Sequence, residues 1–325
     1  MPTHSKAPAV ERLPRVPVAA SRLGLVIVAV QFISAQFAAF AHPPGGIVVD
    51  QSGNVFVAGS IGPGPQFPGF VWKIDAQGQL ASFHKGSAHW LALDAKGNFD
   101  RAKLDELFDE RKTPWLGPVP FPNSKASLFR ADGCPIVVHT DGNVYFAPRN
   151  LEVSRLTPDG KVTSLASNLN VTTEKLGGIK GLASGPEGAL YLSCPSAVLK
   201  IKPNGAVSTL VHPIALNDCD KDPRDSLAEP GLRGLAVDSR GAVFAAATGC
   251  RRVVKISPDG QVASVLKAEP PWSPTGIAIH GDDVYVLEYS HANSDKHEDW
   301  QPRVRKLGRD GKVTTLATLS KAWNE

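Results

Sequence analysis

A short pattern recurs six times along this chain, and its spacing restricts the possible folds more than any other feature. Each copy consists of an alternating apolar strand, a turn that ends in glycine or aspartate, and a second apolar strand, as in Gly234–Ala245. The equivalent turn positions are 53, 97, 142, 188, 241 and 282, which are 44, 45, 46, 53 and 41 residues apart. Short strands at this period are typical of β-propeller blades, which bury their apolar faces against neighbouring blades.

A second strand–turn–strand unit follows five of these copies and completes the repeat. Its turn also ends in glycine, which supplies the positive φ that a tight hairpin needs. The five copies begin with Val71–Gly78, Val153–Gly160, Val198–Gly205, Val253–Gly260 and Val304–Gly311. Two hairpins per period predict a four-stranded sheet. The whole pattern predicts an all-β, six-bladed β-propeller over residues 42–325, with blades at about 46–83, 88–132, 135–167, 179–212, 232–268 and 273–319.

The second predicted blade departs from this pattern. Asp100–Arg111 places Leu104, Leu107 and Phe108 on one helical face, and Pro114 ends the run. We therefore expect a short helical insertion in blade two. No spare strand precedes Gly46, so we also expect the ring to close without borrowing an N-terminal strand.

The first 41 residues have the pattern of a signal peptide. Three arginines precede an apolar segment over Leu23–Ala35, and Ala39 and Ala41 are the small residues that a signal peptidase reads. The pattern predicts cleavage after Ala41 and a periplasmic or secreted protein. The alternative is an uncleaved membrane anchor, because Leu23–Ala41 is an uncharged run of 19 residues, long enough to span a bilayer.

The charge of the chain is concentrated in this leader. Its side chains carry +3 of the net +4, which leaves 31 basic and 30 acidic residues after position 41. A nearly neutral propeller lacks the basic field that general binding to nucleic acid or anionic membranes requires. We expect a monomer with no nucleic-acid partner and no membrane contact after cleavage of the signal.

The hairpins resemble those of a known superfamily. Leu232–Asp238, Ser273–Ile279 and the outer hairpins with Pro-Asp-Gly turns are similar to the exported propellers of the NHL-repeat, gluconolactonase/regucalcin-like and streptogramin-lyase-like superfamily. The resemblance covers nearly all of residues 42–320. It implies the propeller architecture, whereas these motifs are not specific for any one activity.

A binding site is expected on the face of the ring that carries the long loops, which we call the loop face. The inner strands begin there with Lys180 and Arg233, and a second strand ends there with Glu288. Together they form a mixed, locally basic mouth that suits a small carboxylate or phosphate ligand. A protein partner is the other expected occupant. The alternative is that these charges pair with one another or with water and bind nothing.

An enzyme of the same fold remains a second hypothesis. A lactonase-type hydrolase or a streptogramin-lyase-like lyase would use His89 or His291 as acid and base, with Glu288 beside them. The resemblance to gluconolactonases is incomplete, because Pro44–Gly46 stands where that family has Glu-Gly-Pro. At the position of their metal-binding Pro-Asp-Gly segment, this chain has Pro274–Gly276, which lacks the aspartate.

The four cysteines are disulfide candidates because the chain is expected to be exported. Cys219 lies in the loop before the fifth inner strand, and Cys250 ends the second strand of the same blade. Four cysteines can pair in three ways, and Cys219 with Cys250 is the favoured pair. Cys134 and Cys194 belong to neighbouring blades and form a weaker candidate pair, since an inner strand lies between them.

The loop around Cys219 contains a candidate metal site. Asp218, Asp220, Asp222 and Glu229 occupy positions 1, 3, 5 and 12 of a calcium-loop spacing. Pro223 stands where such a loop requires glycine, so the alternative is a solvated acidic loop. No cofactor is established by the sequence, and calcium or another divalent cation is the candidate.

Glu288 is the least ordinary residue of the predicted mouth. The alternation of the strand places it on the same face as Val284 and Val286, so it continues an apolar row. A buried carboxylate is costly unless it is paired. We therefore expect a cationic partner, with Arg233, Lys180 and Arg303 as candidates.

Overall fold

The computed structural model describes residues 45–59, 70–85, 88–94, 116–120, 127–131, 134–148, 152–166, 169, 176–217, 219, 230–291 and 300–319. These residues form six antiparallel sheets, which we number one to six in chain order. The predicted signal peptide, residues 1–41, lies outside the described residues. No helix in the described part of the chain is long and apolar enough to cross a membrane.

Five of the sheets are four-stranded meanders, and each is a complete blade. Sheet one contains β1 (Ile47–Val49), β2 (Val55–Gly59), β3 (Phe70–Ile74) and β4 (Leu80–Lys85). Sheet three contains β8 (Ile136–Val138), β9 (Val144–Phe146), β10 (Val153–Leu156) and β11 (Val162–Ala166). Sheet four contains β12 (Gly181–Ser184), β13 (Leu190–Cys194), β14 (Ala197–Ile201) and β15 (Val207–Val211).

The last two blades have the longest strands. Sheet five contains β16 (Leu232–Val237), β17 (Val243–Ala247), β18 (Arg252–Ile256) and β19 (Val262–Lys267). Sheet six contains β20 (Trp272–His280), β21 (Asp283–Ser290), β22 (Pro302–Leu307) and β23 (Val313–Thr318). Short 3-10 turns at Pro186–Gly188 and Thr248–Cys250 are the helical elements of the described residues.

Sheet two corrects the prediction of a six-bladed propeller. It has three strands, β5 (Trp90–Leu93), β6 (Leu116–Pro120) and β7 (Ser127–Ala131), in the order β5–β7–β6. The later strand β7 therefore lies in the middle, and β6 is at the edge. Pro118 and Pro120 of β6 have no backbone N–H to donate, which suits an edge position. The structure thus has five complete blades rather than six.

The helical insertion predicted for blade two is likewise not found in the described part of the chain, which contains no α-helix. Its sequence, Asp100–Arg111, lies outside the described residues. This segment separates β5 from β6, so the chain does not return directly to pair with β5. The physical origin of the irregular sheet is therefore the break in the strand–turn–strand pattern after Leu93.

The ring is closed by packing between inner strands. β1, β5, β8, β12, β16 and β20 each contact the next, and β20 contacts β1. Each described sheet is built from one continuous part of the chain, so no N-terminal strand completes the last blade. Glycine permits this close approach, since a Cβ on Gly276 would lie 2.2 Å from the carbonyl oxygen of Gly45. The recurring inner-strand glycine is thus a consequence of ring closure.

The core lies between neighbouring sheets. Tyr285, Leu287 and Tyr289 of β21 pack toward sheet one, whereas Val284 and Val286 pack toward sheet five. This division confirms the alternation predicted for β21. It places Glu288, the next residue on the Val284 side, at the interface between sheets five and six.

Candidate functional site

The loop face brings the starts of the inner strands side by side. The Gly45 N–H donates to the His89 carbonyl at 3.2 Å, which joins sheets one and two. On the other side, the Lys180 N–H donates to the Ser193 carbonyl at 2.7 Å, and the Ser193 hydroxyl donates to the carbonyl of Arg233. The second of these contacts connects sheets four and five. Backbone groups at the starts of the inner strands thus join neighbouring sheets at two places on the rim.

Lys180 and Arg233 are neighbours on this rim. Both side chains are half-buried, and they begin on adjacent inner strands. Burial and, second, the positive charge of Arg233 lower the pKa of the Lys180 ammonium below its ordinary value. Among the described carboxylates, none forms an ion pair with Lys180. The arrangement favours an anion at this position.

Uncharged polar groups lie beside the two cations. Burial raises the pKa of the Cys194 thiol to about 11, so this group is neutral at pH 7. The Ser193 side chain is fully buried and committed to the Arg233 carbonyl. Cys194 is therefore a neutral neighbour of Lys180 and does not balance its charge.

Glu288 has a different environment. Its side chain is 0% exposed, and its carboxylate accepts from Arg303 Nε at 2.5 Å and from Arg305 Nε at 3.0 Å. Glu269 binds the same two arginines from the solvent side, with Arg303 Nη1 at 2.7 Å. The guanidinium of Arg303 also stacks 4.1 Å from the centre of the Trp272 ring. The four charges form a balanced network between sheets five and six.

This network answers the question of which group pairs with Glu288. The prediction of Arg303 as a partner is confirmed, and Arg305 is a second partner that sequence reasoning missed. The signal was present, because Arg303 and Arg305 are two residues apart on β22 and must share one face. Cross-strand pairing of Glu288 with Arg303 brings that face beneath the carboxylate.

The two predicted histidines lie at different places on the loop face. His89 is half-buried on the rim, and its backbone N–H donates to the Ala131 carbonyl at 3.0 Å. His291 follows β21 in a left-handed conformation with φ of 48°, and its N–H donates to the Pro271 carbonyl. Both backbones are held in place, and the roles of both side chains in catalysis stay predictions.

The predicted disulfide between Cys219 and Cys250 is confirmed. The two Cα atoms are 4.5 Å apart, and the bond closes a separation of 31 residues. Cys134 and Cys194 are free and buried, so the weaker candidate pair does not form. Burial raises the pKa of Cys134 to about 12, which keeps this thiol protonated.

The candidate calcium ligands Asp218, Asp220, Asp222 and Glu229 lie outside the described residues. Within the described ranges, no group of three or more histidine, cysteine or acidic side chains is arranged to hold a metal ion. A metal site in this loop therefore stays a prediction from spacing alone.

Sequence reasoning also missed two arginines near the loop-face end of sheet five. Arg251 is 8% exposed and Arg252 is 1% exposed, directly after the disulfide residue Cys250. Arg252 Nη1 donates to the Cys250 carbonyl at 3.4 Å. Adjacent arginines at the start of a strand whose next residues are apolar were the available signal.

The opposite, hairpin face carries an open groove of about 690 Å³ on sheet six. Two of its cations are in ion pairs, with Lys306 Nζ 2.6 Å from Asp283 and Arg309 Nη1 3.3 Å from Asp282. Arg309 is 84% exposed, so its pair is strongly solvated. Lys306 and Arg309 in the groove thus differ from Lys180 at the mouth, which has no ion pair with a described carboxylate.

Comparison with known proteins agrees with this architecture. Neither a protein-family model nor a curated protein matches the sequence. A solved streptogramin B lyase structure is 14% identical over 87% of this chain and 86% of its own, with a TM-score of 0.51. These similarities show a β-propeller fold. At this identity they show the fold alone, and the activity must be argued from the site.

Two further solved propellers have lower structural similarity. Virginiamycin B lyase from Staphylococcus aureus is 14% identical, covers 84% of each chain and has a TM-score of 0.48. A gluconolactonase from Xanthomonas campestris is 16% identical, covers 76% of this chain and 83% of its own, and has a TM-score of 0.48.

Proposed function

We propose that this protein is an exported β-propeller that binds a small anionic ligand at the loop-face mouth. The observation that carries the proposal is the pair formed by the half-buried side chains of Lys180 and Arg233 on adjacent inner strands. Burial and, second, the positive charge of Arg233 make the charged form of Lys180 costly in free energy. A bound anion would remove that cost.

The chemistry of the two side chains indicates the ligand class. An arginine guanidinium binds carboxylate or phosphate through two parallel hydrogen bonds, and a lysine adds a point charge. Each charge-assisted hydrogen bond contributes about 1.5–3 kcal/mol. A ligand with one or two carboxylate or phosphate groups therefore fits the mouth better than a neutral one.

The disulfide supports the location that the proposal assumes. Bonds such as Cys219–Cys250 persist in oxidising compartments and are rare in the cytosol. It also ties the loop before β16 to sheet five, so the loop face next to Arg233 is covalently restrained.

The alternatives make different predictions. A protein partner would use the outer loops of the face and would not depend on Lys180 alone. A hydrolase or lyase would rely on His89 or His291, since the carboxylate of Glu288 is buried and occupied by two arginines. Turnover of a lactone or a streptogramin that is lost in His89→Ala or His291→Ala would favour the enzyme.

Isothermal titration of the purified protein with succinate and with inorganic phosphate tests the proposal. Lys180→Gln and Arg233→Gln should each weaken binding by about tenfold or more. Lys202→Gln, an exposed lysine in a hairpin turn, is the matched control and should bind as the wild type does. Binding should also weaken as the pH rises through the lowered pKa of Lys180, because the ammonium is lost. Equal affinity in all four proteins would contradict the proposal.

A further inference from the structure

Trp90 is an exception among the residues that begin the inner strands. Seven residues before the turn position, sheets one, four and five have Gly46, Gly181 and Gly234, whereas sheet two has Trp90. Glycine is needed there because the next inner strand is close. A Cβ on Gly181, for example, would lie 2.7 Å from the Arg233 carbonyl oxygen. The space between inner strands thus has little room for an indole, and the Trp90 ring must lie elsewhere.

The Trp90 ring lies at the loop-face opening of the central channel. A Cβ on Gly45 would be 3.2 Å from Trp90 Cζ3 and 3.0 Å from the Thr275 carbonyl oxygen, so the benzo edge extends over the start of sheet one toward sheet six. Trp90 also packs against the apolar cluster of sheets two and three, which contains Ala131 and Cys134. One side chain can reach all four of these sheets only near the axis of the ring, where the channel opens.

The half-buried Trp90 ring has no stacking partner among the described residues. The other three tryptophans in the described ranges each have a ring or cation partner: Trp72 contacts Phe70, Trp272 contacts Arg303, and Trp300 contacts Tyr289. Trp90 is therefore an aromatic surface at the mouth that a ligand can still use.

We propose that Trp90 stacks on the planar ring of a small aromatic carboxylate whose negative charge pairs with Lys180. This inference rests on the proposed anion site and deepens it by naming the ligand class. Lys180 begins the inner strand two sheets further around the ring, and it forms no ion pair with a described carboxylate. A ligand at the mouth thus meets a cation on one side and an indole on the other.

The two groups recognise different parts of such a ligand. A lysine ammonium is a point charge that attracts a carboxylate without fixing its orientation. An indole prefers an offset stack with a second flat ring, which adds to the free energy gained from apolar burial alone. An aliphatic ring of the same size buries a similar apolar area but cannot stack in this way. If Trp90 only closes the channel, ligands with flat and aliphatic rings should bind equally.

Isothermal titration of the wild type with benzoate, cyclohexanecarboxylate and acetate tests the ligand class and needs no variant. Benzoate should bind at least about tenfold more tightly than acetate and about threefold more tightly than cyclohexanecarboxylate. In protein labelled with 5-fluorotryptophan, benzoate should shift one fluorine NMR resonance, and that resonance should be absent from Trp90→Phe.

Variants test the assignment to Trp90. Trp90→Leu should bind benzoate as weakly as acetate, whereas Trp90→Phe keeps a flat ring and should bind benzoate within about threefold of the wild type. Trp272→Leu is the matched control, because Trp272 is also half-buried on the loop face but already contacts Arg303. It should bind benzoate as the wild type does. Lys180→Gln should weaken benzoate and acetate by the same factor.

The outcomes separate this inference from the anion site. Wild-type protein that binds the three acids equally, or Trp90→Leu that keeps the preference for benzoate, overturns the aromatic ligand class and leaves the anion site standing. Benzoate binding that is lost in Trp90→Leu but unchanged in Lys180→Gln overturns the anion site and, with it, the inference. Failure of the wild type to bind any of these acids also overturns both.

Discussion

Two groups of charged side chains on the loop face differ in how their charges are balanced. Between sheets five and six, Glu288 is fully buried and is enclosed by Arg303 and Arg305, with Glu269 outside. At the mouth, Lys180 and Arg233 have like charges, and no described carboxylate pairs with Lys180. Folding accounts for the first group, because its charges satisfy each other. For the second group, we propose that a bound anion supplies the missing counter-charge of Lys180.

The two groups of charged side chains differ because of a general property of buried charge. A complete buried ion network roughly offsets its own desolvation cost, whereas the removal of one member leaves an uncompensated charge. A half-buried lysine beside a second cation has the opposite property, since its removal relieves its own desolvation cost and the repulsion between the two charges. Mutations of the two groups should therefore act on different quantities, stability for the first and binding for the second.

The largest expected effect is on stability, at Glu288. Glu288→Gln leaves the buried guanidinium groups of Arg303 and Arg305 without their central carboxylate. We expect a loss of about 3–5 kcal/mol in the free energy of unfolding. Urea denaturation followed by tryptophan fluorescence measures it, and anion binding by the folded fraction should be unchanged.

Glu269→Gln is the matched control for this change, because Glu269 contacts the same arginines but is 59% exposed. Its effect should be much smaller than that of Glu288→Gln. A Glu288→Gln protein with wild-type stability and no anion binding would reverse the assignment and make Glu288 part of the site.

The sequence predicts the local parts of this architecture better than the long-range ones. Glycine turns at a fixed period specify each hairpin, and a disulfide within one blade joins positions whose order along the strands is known. The strand order of sheet two was not predicted, because β7 enters between β5 and β6 and this pairing depends on contacts across a long insertion. Pro118 and Pro120 are compatible with an edge strand, but nothing local in Leu116–Pro120 indicates which strand pairs with it.

The same limit applies to the candidate site. The alignment of repeats placed Lys180 and Arg233 on the rim, because equivalent positions of a repeat occupy equivalent places in the ring. The partner of Glu288 was predicted only in part, since the choice between Arg233, Lys180 and Arg303 depends on register between strands and Arg305 was not among the candidates. Periodicity thus determines where a residue lies, and sheet packing determines which charge it meets.

A smaller effect on the free energy of unfolding is expected when Lys180 at the mouth is replaced. Lys180→Met removes one of two repelling cations, so it should leave the free energy of unfolding unchanged or raise it slightly, while anion binding weakens. The folded-state pKa of Lys180 is lowered, so the unfolded chain binds more protons between that value and the ordinary 10.5. The contribution of Lys180 to the free energy of unfolding of the wild type should therefore rise with pH in this window.

This rise in the free energy of unfolding with pH should be absent from Lys180→Met. Lys202→Met, which replaces a lysine in an exposed turn, should retain it. Chemical denaturation of the three proteins at several pH values below 10.5 measures the difference. A clear loss of stability in Lys180→Met at neutral pH would mean that Lys180 has a stabilising partner, and the contrast between the two groups would fail.

The smallest expected effect is the acid response of Glu269. A hydrogen bond from Arg303 lowers the pKa of its carboxyl below the usual 4.5, so the folded protein binds this proton less readily than the unfolded chain. Its contribution is present above pH 4.5 and is lost as the pH falls through the lowered value. Because the side chain is 59% exposed, an exposed pair of this kind contributes about 0–1 kcal/mol.

Glu269→Gln should make the decrease in melting temperature between pH 5 and pH 3 slightly shallower, and high salt should remove the difference. An acid transition that persists unchanged in Glu269→Gln would show that the sensitive proton lies on another group and would contradict this prediction.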